Sequence, residues 1–293
     1  MDFHNFNGRF CIFAEVDIFY PVFMQFFGYE ISKSERRKYP HKVGLALSGG
    51  GARGFAHAGA IQAMIEVGLK PDVVCGVSAG SVVAVMYAAG IEPREMLKLF
   101  DSLKFGDLAG WSLPTGGLFT LNKFKDFIRK VIPYERIEQL PLPTVICATD
   151  FDAGRKVAFR QGNIAECVAA SCCIPVVFKP IVINGVRYVD GGVLANLPAW
   201  ALRDQCQFLV GVNCSPVDTD VAGDGMISVA LRSYELMAKN NAAHDMELCD
   251  MVVSIDEIAD HKVFDLKDIN NVFDHGYEAM MAYFASKGVT PRK

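Results

Sequence analysis

The chain has no C-x-x-C pair, no long block of lysine and arginine, no internal repeat, no low-complexity stretch and only two tryptophans. Nine cysteines are an odd number, scattered from Cys11 to Cys249 with Cys172 and Cys173 the one adjacent couple. That pattern suits neither a disulfide framework nor a zinc site. Free thiols packed as small hydrophobes fit a reducing compartment, so a cytoplasmic location is expected. Lys+Arg number 29 against 33 Asp+Glu, a net charge of −4. Without a basic face to neutralise phosphates, nucleic acid is not an expected partner. Charged residues are scarce at 21%, whereas hydrophobic residues make up 51% of the 293. That is apolar surface for a sizeable core and excludes a disordered or collagen-like chain.

Uncharged runs are short as well. The longest, Val73 to Ile91, is 19 residues and carries Gly76 and Gly80 in G-x-x-x-G spacing, which a hydropathy window reads as a dimerising membrane helix. The residues argue otherwise. Val73 to Val77 is β-branched, Gly76-Val-Ser78-Ala-Gly80 is turn-like, and the helical remainder is only about 16 Å long against about 30 Å of hydrocarbon. A buried strand, a tight turn and a buried helix are expected instead.

What is abundant is phenylalanine at one end. Eight of 21 fall within the first 27 residues, interrupted by Glu15, Asp17 and Pro21. The segment lacks a basic n-region and is a poor signal peptide. Residues 1–30 read as an arm that covers a sheet edge, on its own domain or on a neighbouring subunit of a homo-oligomer, or as an aromatic anchor at a membrane interface. Residues 31–42 read as a polar linker, and no boundary divides residues 43–293.

From Val43 the pattern alternates. Val43 to Leu47 is a buried strand, a glycine loop follows, and a helix with Ala58, Ile61 and Ile65 on one face stops at Gly68. The strand Val73 to Val77, its helix, and another helix from Pro93 repeat the unit, predicting a mainly parallel sheet between helices, a three-layer α/β/α fold. Lys104 to Leu121 loses periodicity and reads as a loop or lid. Asp152-Ala-Gly154 and Asn184-Gly185 mark hairpins, and Asn163 caps a helix. Strand at Phe208 to Asn213, helix near Gly225 to Leu248, strand at Met251 to Ile255 and helix near Asn271 to Lys287 complete the pattern.

Two glycine clusters carry the chemistry. Gly76-Val-Ser78-Ala-Gly80 matches G-x-S-x-G between a strand and a helix, the context in which a serine on a sharp turn becomes a nucleophile. Its glycines let neighbouring backbone pass closely, and the Ala79 N–H opens a helix whose dipole favours a developing anion. Gly49-Gly-Gly51-Ala-Arg53-Gly54 matches G-x-G-x-x-G and has two readings. A dinucleotide site would place an acid about 20 residues on, where the sequence has Cys75-Gly-Val-Ser78. An oxyanion hole of glycine N–H groups, with Arg53 holding an anionic part of the substrate, is the preferred reading. For a base the domain offers His57, His244, His261 and His275, none with a special loop signature. It also offers Asp190, which follows a strand and precedes Gly191 and Gly192; a buried carboxylate could take the serine proton directly.

Taken together, these motifs resemble the patatin-like phospholipases, bacterial members in particular. The resemblance covers about residues 42–214 and is collinear, running through Leu47 to His57, Gly76 to Gly80, Ala148-Thr-Asp150 with Gly154-Arg-Lys156, Ala170 to Pro175, Tyr188 to Gly192, and Asn196-Leu-Pro198. It implies a Ser78–Asp190 dyad without histidine, oxyanion donors at Gly50 and Gly51 on a loop positioned by Gly49, and a phosphate-contacting Arg53. It also implies acyl transfer from lipid or lysolipid esters without cofactor or metal, at a peripheral membrane surface. Val176 stands where many members have glycine, and is expected to reshape the acyl pocket. The alternative is a lipid-binding regulatory protein with a silent hydrolase site.

Overall fold

The computed structural model describes residues 39–100, 103–111, 117–217, 223 and 225–290. The arm expected over residues 1–30, and the oligomer or membrane contact attached to it, lie outside the described residues. So does most of the linker.

Strand β1 (His41–Leu47) is followed by a 3-10 turn at Gly51–Gly54 and helix α1 (Phe55–Val67). The helix stops at Gly68, whose φ of 84° gives the left-handed cap that the sequence suggests. Strand β2 (Val73–Val77) turns at Ser78 into α2 (Ala79–Ala88), and α3 (Pro93–Phe100) follows. The 19-residue apolar run is thus strand, turn and helix. Among the described residues no helix is long and apolar enough to cross a membrane.

The stretch expected as an irregular lid holds a one-turn helix α4 (Phe105–Leu108) and a two-residue antiparallel ladder of β3 (Gly110–Trp111) and β4 (Phe119–Thr120). Residues 112–116 between these strands are outside the described set. Next come α5 (Asn122–Val131), the hairpin β5 (Thr144–Asp150) and β6 (Arg155–Phe159), and α6 (Ile164–Ser171). Helix α6 is capped by Asn163, whose side chain accepts from the Glu166 N–H at 3.1 Å. The hairpin β7 (Ile181–Ile183) and β8 (Val186–Asp190) turns at Asn184-Gly185, both with positive φ. Short 3-10 turns lead to β9 (Cys206–Asn213), α7 (Met226–Glu247), β10 (Met251–Ser254) and α8 (Ile269–Ser286).

The strands form one sheet in the order β10-β9-β1-β2-β5-β8-β7, with β6 also pairing β5. The five strands from β10 to β5 are parallel to their neighbours, and β8, β7 and β6 are antiparallel. On one face Val43, Leu45 and Leu47 pack with α1, α2, α3, α6 and α8; on the other Ala46, Val73, Cys75 and Val77 pack with the turns near Leu197 to Leu202 and with Ala242 of α7. This is the three-layer α/β/α fold that the alternating pattern predicts. Parallel strands that end at one edge place their following turns together, where ligands collect in such sheets.

Helices α1 and α8 cross without intervening side chains. A β-carbon at Gly59 would strike the Phe273 carbonyl, and one at Gly276 the Ala56 carbonyl. Gly276→Ala is therefore expected to lower stability by about 1–3 kcal/mol in denaturant titration; an unchanged midpoint would show that the crossing is looser than described.

Candidate active site

Ser78 is the only residue between β2 and α2, and it makes the turn with φ 51° and ψ −127°. A non-glycine residue in such a conformation needs its surroundings to hold it. Cβ atoms at Gly76 and Gly80 would collide with the Gly80 carbonyl and with the carbonyls of Leu47 and Ser48, so both motif glycines are required by close approach. The Ser78 N–H donates to Ser171 Oγ at 2.8 Å, and that hydroxyl donates to the Cys147 carbonyl at 2.6 Å. Ser81 Oγ donates to the Ser78 carbonyl at 2.6 Å. With its peptide fixed on both sides, the Ser78 side chain faces the cleft.

The glycine loop after β1 lies beside this turn. Ser48 N–H pairs with the Val212 carbonyl, Gly49 N–H with the Asn196 carbonyl at 3.0 Å, and Ala52 N–H with the Val263 carbonyl at 2.7 Å. The N–H groups of Gly50 and Gly51 have no partner among the described residues. Gly49, grouped with the oxyanion-hole glycines from the sequence as the residue that positions the loop, commits its N–H to Asn196, and the donors at Gly50 and Gly51 remain. Gly51 sits at φ 61°, with the Val263 carbonyl where a β-carbon would be. Gly54 is packed so tightly on the turn that its β-carbon would lie 2.5 Å from Ala79 Cβ.

Asp190 ends β8, two strands from Ser78. Val77 pairs with Cys147 on β5 and Asp190 with Ala148, the next residue along, which brings the two side chains to adjacent rows of the sheet. Asp190 is fully buried; Oδ1 accepts from the Gly192 N–H at 2.9 Å. Oδ2 completes no hydrogen bond, although the hydroxyls of Ser78 and Tyr234 are near enough to stabilise its charge. Burial pushes its pKa up to about 6, against the opposing pull of the Gly192 N–H and those two hydroxyls. A Cβ at Gly191 would be 2.8 Å from the Cys147 carbonyl, so the chain can pass β5 only as glycine.

The histidines take other places. His57 is buried, and because Ser48 O can only accept, its Nε2 must donate there at 2.8 Å while Nδ1 faces Cys214 Sγ at 3.3 Å. Desolvation takes its pKa down to about 4. It is a neutral brace under the glycine loop. His261 Nε2 lies 2.8 Å from the Asp265 carbonyl.

Arg53 departs from its expected role. Its guanidinium is buried and donates to the carbonyls of His261, Pro216 and Ala259 at 2.7, 2.9 and 2.9 Å, with Glu235 at 3.7 Å. A planar fork of donors suits three backbone carbonyls, and the side chain ties the C-terminal segments to the glycine loop instead of entering the cleft. Val176 also differs from expectation. It is exposed, at φ 72°, which a β-branched residue resists, and does not line the cleft. Its carbonyl and that of Val177 receive the Leu118 N–H at 3.3 and 3.1 Å, which fixes the chain just before β4.

A cleft leads from Ser78 between α2, α3, α5 and the segment Val263 to Leu266, with about 920 Å3 of empty space counting the solvent at its open mouth. Its wall is almost wholly apolar, with Val82, Met86, Phe100, Phe124 and Phe264 among its residues, and Phe105 and Leu108 of the lid segment close one side. Such a space suits an extended hydrocarbon. Among the described residues no group of three His, Cys, Asp or Glu side chains could hold a metal ion.

Three side chains around the pair had no sequence assignment: Ser171, Asn196 and Tyr234. The first two lie inside motifs noted above. Tyr234 comes from α7, whose sequence carries no mark of this residue.

A family model described as patatin-like phospholipase matches residues 45–203. An uncharacterized NTE family protein of Mycobacterium tuberculosis is 36% identical over 214 residues, 69% of this chain and 57% of that protein. Lysophospholipase NTE1 of Cryptococcus neoformans is 31% identical over 182 residues, 60% of this chain and 11% of that protein. The chain thus spans little more than half the length of that mycobacterial relative and about a tenth of the fungal one. VipD from Legionella pneumophila overlays with a TM-score of 0.48 and 18% identity, covering 88% of this chain and 70% of that one.

A carboxylate whose folded pKa is about 6 against an ordinary 3.8 costs stability while ionised, and the cost fades as pH falls from 6 towards 3.8. Asp190→Asn is accordingly expected to be more stable than the parent by about 2–3 kcal/mol at pH 7.5, with the gap closing near pH 4. Equal stability at pH 7.5 would mean that the carboxylate is better solvated than its burial indicates.

Proposed function

The chain belongs to the patatin-like phospholipase family, and from that premise we propose that it is a lipid acyl hydrolase in which Ser78 is the nucleophile and Asp190 its general base. The observation that carries the reading is the meeting of a buried, weakly acidic carboxyl group and a serine on a strained turn at the head of an apolar cleft.

In the first half-reaction Asp190 takes the Ser78 hydroxyl proton as Oγ attacks the ester carbonyl carbon. The oxygen that gains charge is held by the Gly50 and Gly51 N–H groups, with the start of α2 behind it. Asp190 then returns the proton to the departing alcohol oxygen, the carbon–oxygen ester bond breaks, and the acyl group stays on Ser78. Water, giving its proton to Asp190, attacks the acyl carbon; the bond to Ser78 Oγ breaks, Asp190 passes the proton to that oxygen, and the fatty acid leaves with serine and carboxylate restored. A pKa near 6 suits both roles, since the group is ionised at neutral pH and still basic enough to accept a proton. No histidine and no metal ion enters these steps.

The cleft takes the acyl chain, and a lysophospholipid at a membrane surface is the substrate class favoured by the fungal relative's name. Hydrolysis of a lysophosphatidylcholine and of a nitrophenyl acyl ester tests the proposal. Ser78→Ala should abolish turnover, and Asp190→Asn should lower kcat by about 10²–10⁴-fold. Activity of the parent should rise with pH through about 6. No turnover on any acyl ester by a folded parent protein would favour the lipid-binding reading instead.

A further inference from the structure

The family match ends at residue 203, yet α7, beyond it, reaches the carboxylate of the pair. Asn241 Nδ2 donates to the Val193 carbonyl at 2.6 Å and to the Gly192 carbonyl at 3.3 Å, which fixes α7 against the turn that follows Asp190. Two helical turns earlier, the Tyr234 hydroxyl occupies the space above Gly192, where a β-carbon would be. Gly192 N–H holds Asp190 Oδ1, so this hydroxyl stands next to the carboxylate whose other oxygen, Oδ2, is buried and completes no hydrogen bond. From this arrangement we propose that Tyr234 is a positioning residue of the hydrolase, donating its phenolic hydrogen to Asp190 Oδ2 and so holding the base ionised and aimed at Ser78.

The inference rests on the dyad reading. The groups that face Asp190 are Ser78 from the turn after β2, Cys172 and Cys173 from the turn after α6, and Tyr234 from α7. Both thiols are pushed up by burial and stay neutral. Glu235 is the charged neighbour of Tyr234 and has Arg53 at 3.7 Å and Arg232 at 3.9 Å. The phenol is held well above its usual pKa by burial and by Asp190, so it remains a donor across the working range. A donor to a carboxylate stabilises the ionised form, and resting-state distances at such contacts often tighten only when substrate binds.

The experiment is the pH dependence of Ser78 labelling by an alkyl fluorophosphonate, with the modified residue located by mass spectrometry. The full chain is compared with its Tyr234→Phe variant and with a chain carrying 3-fluorotyrosine at 234. Phenylalanine keeps the ring and removes the donor, so the acidic midpoint should rise by about one pH unit while the rate at high pH changes less than tenfold. Fluorotyrosine is a stronger donor and should move the midpoint down; it carries the test if Tyr234→Phe does not fold. A purely structural role would lower the rate at every pH and leave both midpoints in place, which overturns the proposal while the dyad stands. Failure of the folded parent to label at Ser78 at any pH would remove the dyad reading, and this inference with it.

Discussion

The backbone of Ser78 is the constraint from which much of the rest follows. L-residues avoid the left-handed side of conformational space at a cost of roughly 1–2 kcal/mol, and this serine is held there at φ 51° by contacts that leave no alternative. Gly76 and Gly80 are small because carbonyls lie where their side chains would be. Ser171 takes the turn's N–H and Ser81 its carbonyl. Both hydroxyls are buried and hydrogen-bonded to the backbone of this turn, so its polar groups are satisfied within the protein.

Around that turn burial acts on two titratable side chains with different outcomes. His57 stays neutral because desolvation depresses its pKa to about 4, and it joins Ser48 to Cys214 under the glycine loop. Asp190 stays ionised at neutral pH only because the Gly192 N–H and nearby hydroxyls oppose the same desolvation. The two linkages have opposite sign. Protonation of the unfolded chain's histidine withdraws stability as pH falls from 6.5 to 4, whereas uptake of a proton by folded Asp190 restores it between 6 and 3.8. If Asp190 is the base, as proposed, the cost of its ionised form is one that activity imposes on stability.

Much of this was legible in the sequence because it depends on local backbone chemistry. A strand, Gly-x-Ser-x-Gly and a helix specify the turn at Ser78; Asn184-Gly185 specifies its hairpin; Gly68 stops α1, and alternation of strands with helices specifies the layers. What sequence alone did not reveal depends on segments far apart in the chain. Arg53 looked like an anion-binding side chain until its three carbonyl partners, from Pro216 to His261, were seen. That Gly49 positions the glycine loop was readable, but not that it does so by donating its N–H to the Asn196 carbonyl. Tyr234 carries no local signal, since α7 has large apolar residues on its exposed face as well and nothing in its spacing says which residue meets Asp190.

In the proposed reaction Ser78, Asp190 and the N–H groups of Gly50 and Gly51 act on a single carbonyl. A crystal structure of the protein after reaction with a long-chain alkyl fluorophosphonate tests it most directly. The phosphorus should be bonded to Ser78 Oγ, its oxygen should accept from the N–H groups of Gly50 and Gly51 at about 2.7–3.1 Å, and the alkyl chain should run between Met86 and Phe124. A phosphonyl oxygen turned to solvent or to Arg53, or an alkyl chain outside the cleft, would contradict it.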